Sequence, residues 1–213
     1  MNLTLAIDCS MRWISLGLAD SSALYGEENL NAGRAQAELL PNLAEGFVAR
    51  HGFSLKSLER VAVTTGPGYY TGIRVGLAYA TALAAGLGIP AVPMSALYAM
   101  ACPFFGSGFV AAPVLKARKG SVYAAIYGYP SEKQTEPAVY GEAEFISLIG
   151  SLGHADEIII IGHDLDEFGE IKNSGYRLIQ MPPAIGLQMA HASLCLAAID
   201  PAGITATYLR PPG

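Results

Sequence analysis

The segment between Arg60 and Pro90 constrains the fold of this 213-residue chain more than any other. A short apolar run from Arg60 to Thr65 predicts a buried strand, and the Gly-Pro-Gly sequence at 66–68 predicts a tight turn. A helix is then predicted from Thr71 to Gly88, closed by Pro90. Strand, glycine turn and helix together are the unit of a parallel α/β sheet, so we predict an α/β fold.

Further elements fit the same class. Leu3 to Asp8 and Trp13 to Ala19 predict two paired strands at the start of a domain. Apolar side chains at helical spacing predict a helix from Glu38 to Arg50, with Gly52 as its stop signal. The second half predicts less regular elements: strands at 121–127 and 157–162, and helices at 142–152 and 184–199.

The length allows one large α/β domain or two small lobes. Apolar residues make up 52% of the chain and charged residues 15%, which is ample material for a core and excludes disorder. The Gly- and Pro-rich stretch from Ala101 to Phe109 is the candidate boundary. We therefore divide the chain into lobes at 1–103 and 104–213, and the terminal helix could pack back on the first lobe.

Charge and cysteine content narrow the classes of function. The formal net charge of −5 argues against a broad surface that tracks nucleic-acid phosphates, so RNA would be held by another chain. Cys9, Cys102 and Cys195 are far apart and predict neither a disulfide framework nor a zinc site. The N-terminus lacks the pattern of a signal peptide, and prolines interrupt the uncharged stretch between Arg74 and Lys116. We expect a cytoplasmic protein without a membrane span.

The predicted helix from Thr71 to Gly88 carries very small side chains along one face. Gly72, Gly76, Ala80 and Ala84 are each four residues apart, which lets another element approach closely. That element is either the chain's own sheet or a helix of a partner. In the second case, Tyr79 and Leu83 beside the stripe and the apolar face of the helix at 38–50 would form an exposed patch that needs a partner.

The glycine turn itself resembles no complete phosphate-binding motif. It is not a Walker A loop, and the GxGxxG pattern misses by one position because Thr71 stands where the third glycine would be. The turn either packs a strand tightly against a helix or offers backbone amides to an anion. The loop after Asp8, which ends the first predicted strand, also lacks the glycine needed to wrap a phosphate.

Several motifs resemble the TsaB (YeaZ) family, and they span essentially the whole chain in the right order. GPGYYTGIRVGLA at 66–78 is similar to the family form GPGSFTGLRIGLA, and it is preceded by AIDCS at 6–10. LLP at 39–41, KARKGSVYAAIY at 116–127 and TYLRPP at 207–212 match further family segments. The chain departs from the family pattern at Lys116, where relatives carry an acid, and at Ala35-Gln36.

The resemblance implies a two-lobed actin-like, RNase H-like ATPase fold and a non-catalytic subunit that binds the TsaD paralogue, with the ATPase TsaE, for threonylcarbamoyl transfer to tRNA. ATP, metal and threonylcarbamoyl-AMP are expected on the partner subunits, tRNA contact is expected to be indirect, and a homodimer is possible. Together with the helical spacing, the resemblance implies a set of partner-binding residues. These are Leu39, Leu43, Phe47, Gly72, Gly76, Tyr79, Ala80 and Leu83. Those ordering the glycine loop are Gly66, Gly68, Tyr69, Tyr70, Thr71 and Arg74.

Other functions stay open. A small actin-like ATPase or kinase would use Asp8 and the loop at 66–72, and a homodimer without a tRNA role would use the same helices. The catalytic paralogue carries a metal-binding HxxxH, whereas the four histidines here include no pair at that spacing. Lys116, Arg118 and Lys119 could hold an anion or form a solvated turn. No GxSxG elbow supports a hydrolase, and His163-Asp164 is expected to be structural.

Overall fold

The computed structural model describes residues 2–128, 135–152, 155–182 and 184–209. They form two compact units. The first contains residues 2–99 and 184–208, and the second contains residues 100–182 apart from the gaps. Along the chain the first unit ends at residue 99, the segment 184–208 belongs to it again, and Leu209 belongs to the second unit.

The first unit is built on a five-stranded mixed sheet. Its strands are β1 (Thr4–Asp8), β2 (Trp13–Ala19), β3 (Leu24–Asn31), β4 (Arg60–Gly66) and β5 (Ala91–Ser95), in the order β3-β2-β1-β4-β5. β1 to β3 pair antiparallel, whereas β1, β4 and β5 run parallel. The helices of this part are α1 (Gln36–Arg50), α2 (Tyr70–Leu87) and α3 (Ala96–Ala101), and the unit boundary falls inside α3.

The second unit repeats this arrangement. β6 (Val110–Arg118), β7 (Ser121–Ala124), β8 (Ala138–Gly141), β9 (Ile158–Gly162) and β10 (Arg177–Gln180) form a sheet in the order β8-β7-β6-β9-β10. β6 to β8 are antiparallel and β6, β9 and β10 are parallel. The helices are α4 (Glu142–Gly150) and α5 (Gly169–Lys172). Two mixed sheets with the same strand order confirm the predicted α/β, actin-like fold.

Burial explains why the central strands were recognisable. Every residue of β1 and β9 is buried, as expected of strands covered on both faces. α2 ends where predicted, because Gly88 adopts the left-handed conformation at φ 68° that caps a helix. Each sheet packs on its own apolar cluster, centred on residues such as Leu5, Leu16 and Phe47 in the first unit and Phe145 and Ile160 in the second.

The last helix is shorter than predicted. α6 spans Gly186–Ser193 rather than residues 184–199. The prediction was wrong beyond Ser193 because Ile199 leaves the helix and exchanges two backbone hydrogen bonds with Ala91, at 2.8 and 2.9 Å. At its other end α6 lies against β2: a Cβ on Gly17 would be 2.0 Å from the Gly186 carbonyl oxygen, so only glycine fits there.

Candidate functional site

The glycine loop joins β4 to α2 and is held by the C-terminal segment. Gly66 has a φ of 116°, and the Gly66–Pro67 peptide bond is cis. The Thr207 backbone N–H donates to the Thr65 carbonyl oxygen at 2.7 Å. A Cβ on Gly66 would lie 2.7 Å from the Thr207 carbonyl oxygen, so the segment at 207 crosses the loop directly. Glycine is therefore required here for both conformation and space.

The other side of the loop packs on the residues that follow β1. The Tyr69 N–H donates to the Ser10 carbonyl oxygen at 2.6 Å. A Cβ on Gly68 would come within 2.3 Å of that same oxygen. The backbone of the glycine loop is therefore in direct contact with the backbone at Ser10. The arrangement favours the tight-packing interpretation of the glycine turn over anion binding.

Asp8 lies beneath this contact. Its side chain is buried, and Oδ1 accepts the Ser10 N–H at 2.9 Å and the Thr64 hydroxyl at 2.6 Å. The carboxylate thus ties β1, the loop after it and β4 together. Among the described residues, no group of three or more His, Cys, Asp or Glu side chains is placed to hold a metal ion. A role for Asp8 in nucleotide binding stays a prediction without structural support.

The small-residue face of α2 turns inward. Gly72, Gly76 and Ala80 are buried, and a Cβ on Gly72 would lie 2.0 Å from the Cys9 carbonyl oxygen. Gly76 faces the Cys9 side chain, with 3.2 Å between the two Cβ positions. Burial also raises the pKa of the Cys9 thiol, and the Asp8 carboxylate adds to this effect. The stripe serves close packing inside the unit.

This burial corrects part of the predicted partner surface. Gly72, Gly76, Ala80 and Phe47 are buried in the first unit, so they do not form the exposed patch that the spacing predicted. Four predicted positions remain partly exposed while packing against the core: Leu39, Leu43, Tyr79 and Leu83.

The N-terminus of α1 is fixed by the side chain of Gln36. The Gln36 side-chain amide donates to the carbonyl oxygens of Met11 and Trp13, both at 2.9 Å. The side-chain oxygen Oε1 of Gln36 faces α2. It lies 3.0 Å from the position that a Cβ would take on Gly72. Gln36 therefore holds the loop between β1 and β2 against both helices.

The outer faces of α1 and α2 enclose a shallow apolar groove, which we call the helix groove. Its volume is about 440 Å³. The residues that line it are Ala37, Leu40, Pro41, Tyr70, Thr71, Arg74, Val75, Ala78 and Tyr79. Most of these were missed from the sequence. Arg74 could have indicated this groove in the sequence. It is the single charged residue of α2 and therefore marks the side of the helix that faces water.

A larger groove lies on the other side of α2, between this helix and residues 200–208; we call it the tail groove. Its volume is about 1080 Å³. Alanines of α2 and apolar residues of the C-terminal segment line it, together with Arg74 and Asp200. Arg74 and Ala78 line both grooves, so the two meet along one exposed edge of α2.

An arginine–tyrosine cluster stands where the grooves meet. The Arg74 guanidinium carbon is 4.0 Å from the centre of the Tyr70 ring, and Arg74 Nε donates to the Tyr208 hydroxyl at 3.0 Å. The two tyrosine rings are 5.0 Å apart. Tyr69 is 45% exposed and Tyr208 39%, so both side chains are accessible to solvent.

The remaining predicted positions give no comparable site. Lys116 forms an ion pair with Glu167, and Arg118 and Lys119 follow it at a turn. The His163 ring is buried, and its Nδ1 lies 3.0 Å from the Met181 carbonyl oxygen, a structural contact. None of the described helices combines the length and the hydropathy that a membrane span requires.

Comparisons with known proteins extend these observations. The profile of the family described as "TsaD: tRNA N6-adenosine threonylcarbamoyltransferase" matches residues 30–157. The chain is 29% identical over 110 residues to the Bacillus subtilis "tRNA threonylcarbamoyladenosine biosynthesis protein TsaB", covering 51% of this chain and 48% of that protein. It is 31% identical over 126 residues to the protein of the same name from Escherichia coli, covering 58% and 54%.

These alignments span about half the length of the curated relatives. The solved structure "YeaZ from Pseudomonas aeruginosa" covers 98% of this chain and is itself fully covered, with a TM-score of 0.79 and 19% identity. A second Pseudomonas aeruginosa structure, described as having similarity to peptidase YEAZ, covers 99% of this chain and is also fully covered, at a TM-score of 0.81 and 20% identity. At these identities the likeness concerns the fold.

Proposed function

Because this chain belongs to the TsaB (YeaZ) branch of the TsaD family, we propose that it acts in threonylcarbamoyladenosine synthesis on tRNA, as a non-catalytic subunit that binds a TsaD-like catalytic subunit. The observation that carries the proposal is the exposed edge of α2 with an apolar groove on each side. Such a surface is typical of a helix that packs against another protein.

The side chains along this edge suit close packing of helices. Ala78, Ala82, Ala85 and Gly86 are all exposed and present little bulk. A partner helix could therefore approach the α2 backbone closely, with its larger side chains entering the grooves on either side. Tyrosine and arginine, which are enriched among the residues that dominate binding energy, stand at the N-terminal end of the edge.

The environment of Asp8 supports a non-catalytic role. Its carboxylate is engaged by Ser10 and Thr64, and the glycine loop packs directly on Ser10. An ATPase of this fold would need room for phosphate at that point. ATP, metal and threonylcarbamoyl-AMP accordingly belong to the partner subunits in this proposal, and the cell compartment would be the cytoplasm.

The formal net charge of −5 supports indirect contact with tRNA through the catalytic subunit. A TsaE-like ATPase completes the proposed assembly. Two copies of this chain could use the same edge of α2, so a homodimer would compete with the catalytic subunit for it. Mixing the two proteins at increasing ratios separates these states, because a shared surface predicts that heterodimer forms at the expense of homodimer.

A pair of matched substitutions tests the surface. Ala78→Trp places a large side chain on the edge where the grooves meet, whereas Ala49→Trp places it at an exposed position of α1 that lines neither groove. We expect Ala78→Trp to lose binding to the TsaD-like subunit in isothermal titration, with circular dichroism unchanged, and Ala49→Trp to bind like the native chain. Equal binding by both variants would place the partner elsewhere.

A further inference from the structure

Arg74 is isolated in the sequence as a charged residue. Between Arg60 and Lys116 it is the only Asp, Glu, Lys or Arg. It is nevertheless exposed, and it lines both the helix groove and the tail groove. A single positive charge therefore stands near the N-terminal end of the otherwise uncharged helix α2.

The guanidinium is held in place by its neighbours. Stacking on Tyr70 at 4.0 Å fixes the plane, and the hydrogen bond from Nε to the Tyr208 hydroxyl at 3.0 Å fixes the rotation. The Tyr208 ring centre lies 5.9 Å from the guanidinium carbon and 5.0 Å from the Tyr70 ring centre, so the two rings lie side by side next to Arg74. Arginine usually loses considerable side-chain entropy on binding, and a group ordered in advance loses less.

Among the described residues, neither terminal nitrogen of Arg74 has a hydrogen-bond partner. In the described part of the chain, no carboxylate is recorded as an ion-pair partner of Arg74. A planar guanidinium with two free amino groups matches the two oxygens of a carboxylate, and such bidentate pairs are among the strongest polar contacts in interfaces. Flanking apolar grooves would exclude water from such a pair and make it stronger.

We infer that Arg74 binds a carboxylate of the catalytic subunit, an Asp or Glu flanked by apolar side chains that enter the helix groove and the tail groove. Tyr70 and Tyr208 act as positioning residues for Arg74. This inference rests on the proposed function and names the chemistry of the partner at the same surface. An RNA phosphate is the less favoured ligand, because RNA-binding surfaces gather several cations and this one has a single arginine.

The test measures the affinity of the TsaD-family subunit from the same organism for the native chain and for Arg74 variants. We expect Arg74→Ala to weaken binding on the order of tenfold to a hundredfold. Arg74→Lys keeps the charge but loses the planar fork, so it should recover only part of the affinity. Tyr208→Phe keeps the ring, removes the hydroxyl and should weaken binding by a few-fold.

Two further measurements separate a specific ion pair from a general loss of structure. Arg177 is the matched control, because its guanidinium carbon also lies over an aromatic ring, 5.2 Å from the centre of Phe109. It belongs to the second unit and lines neither groove. Arg177→Ala should therefore bind the catalytic subunit as the native chain does. Arg74→Glu should abolish binding, and one Asp→Arg or Glu→Arg substitution in the catalytic subunit should restore it. Circular dichroism confirms that each variant is folded.

The outcomes are distinct. If the native chain binds but Arg74→Ala and Arg74→Glu bind equally well, the inference is wrong and the proposed function stands. If the Arg74 variants lose affinity for tRNA while their affinity for the catalytic subunit is unchanged, the ligand is RNA and the inference is overturned. If the native chain does not bind the catalytic subunit at all, the inference and the proposed function both fail.

Discussion

Substituting alanine for Gly72 tests how α2 packs inside the first unit. The added Cβ would lie 2.0 Å from the Cys9 carbonyl oxygen, whereas ordinary contacts are roughly 1.5 Å longer. Because the oxygen belongs to the backbone after β1, the helix or the strand must move. Overpacking of this kind costs about 3 kcal/mol. Because Gly72 is close to the helix end, replacing it by alanine returns only about 0.5 kcal/mol, so we expect a net loss of about 2.5 kcal/mol.

Gly86 provides the control within the same helix. A Cβ there meets nothing within 4 Å, so Gly86→Ala should keep the gain in helix propensity without a steric cost. Since Gly86 is close to the helix end, the gain should be about 0.5 kcal/mol. For a chain of this size, 1 kcal/mol corresponds to about 2–4 °C in melting temperature. Gly72→Ala should therefore melt about 5–10 °C below the native chain and Gly86→Ala slightly above it.

Thermal scans by circular dichroism and calorimetry would measure both variants, and urea unfolding would check the order of stability. The packing account requires the two substitutions to change stability in opposite directions. If Gly72→Ala melted at or above the native temperature, as Gly86→Ala should, the inward position of the small-residue face would be wrong. The stripe would then be free to form the partner surface that its spacing first suggested.

Two further predictions concern ionisation. Hydrogen bonds, of which that from the Ser22 side chain is the largest contribution, lower the pKa of Asp20 from 3.8 to about 2. The ionised carboxylate therefore stabilises the folded state at pH values above the unfolded pKa. This stabilisation is lost as the pH falls towards 2. Asp20→Asn should accordingly lower the melting temperature at neutral pH and flatten its dependence on pH between about 4 and 2. Burial raises the thiol pKa of Cys9, and that of Cys102 to about 12, whereas Cys195 is exposed. Maleimide near neutral pH, followed by mass spectrometry, should therefore label Cys195 first, and rapid labelling of Cys9 in the folded chain would contradict its burial.

The elements that could be predicted from the sequence are those with a run of apolar residues or a clear stop signal. β4, α2 and β9 were all identified, since apolar runs and glycine or proline stops mark them directly. β3 was missed because it is an edge strand whose residues are only partly buried and include Glu27 and Glu28. Its place is set by pairing with β2, which local sequence does not encode.

The candidate site was predicted less completely for a related reason. The spacing showed that α2 has a face of very small residues. It did not show whether that face packs against the chain's own sheet or is exposed to a partner. Both sides of the helix carry small residues: Gly72 and Gly76 face Cys9, while Ala78 and Ala82 face outward. Only tertiary packing distinguishes them. The partnership of Arg74 with Tyr208 was equally hidden, because 134 positions separate the two residues.

The most direct test of the central proposal is size-exclusion chromatography of this chain with the TsaD-like subunit from the same organism, followed by threonylcarbamoylation of tRNA with and without the chain. We expect a co-eluting complex and tRNA modification that depends on the chain, with both lost in Ala78→Trp. Separate elution, together with tRNA modification that is equally fast without the chain, would contradict the proposed function.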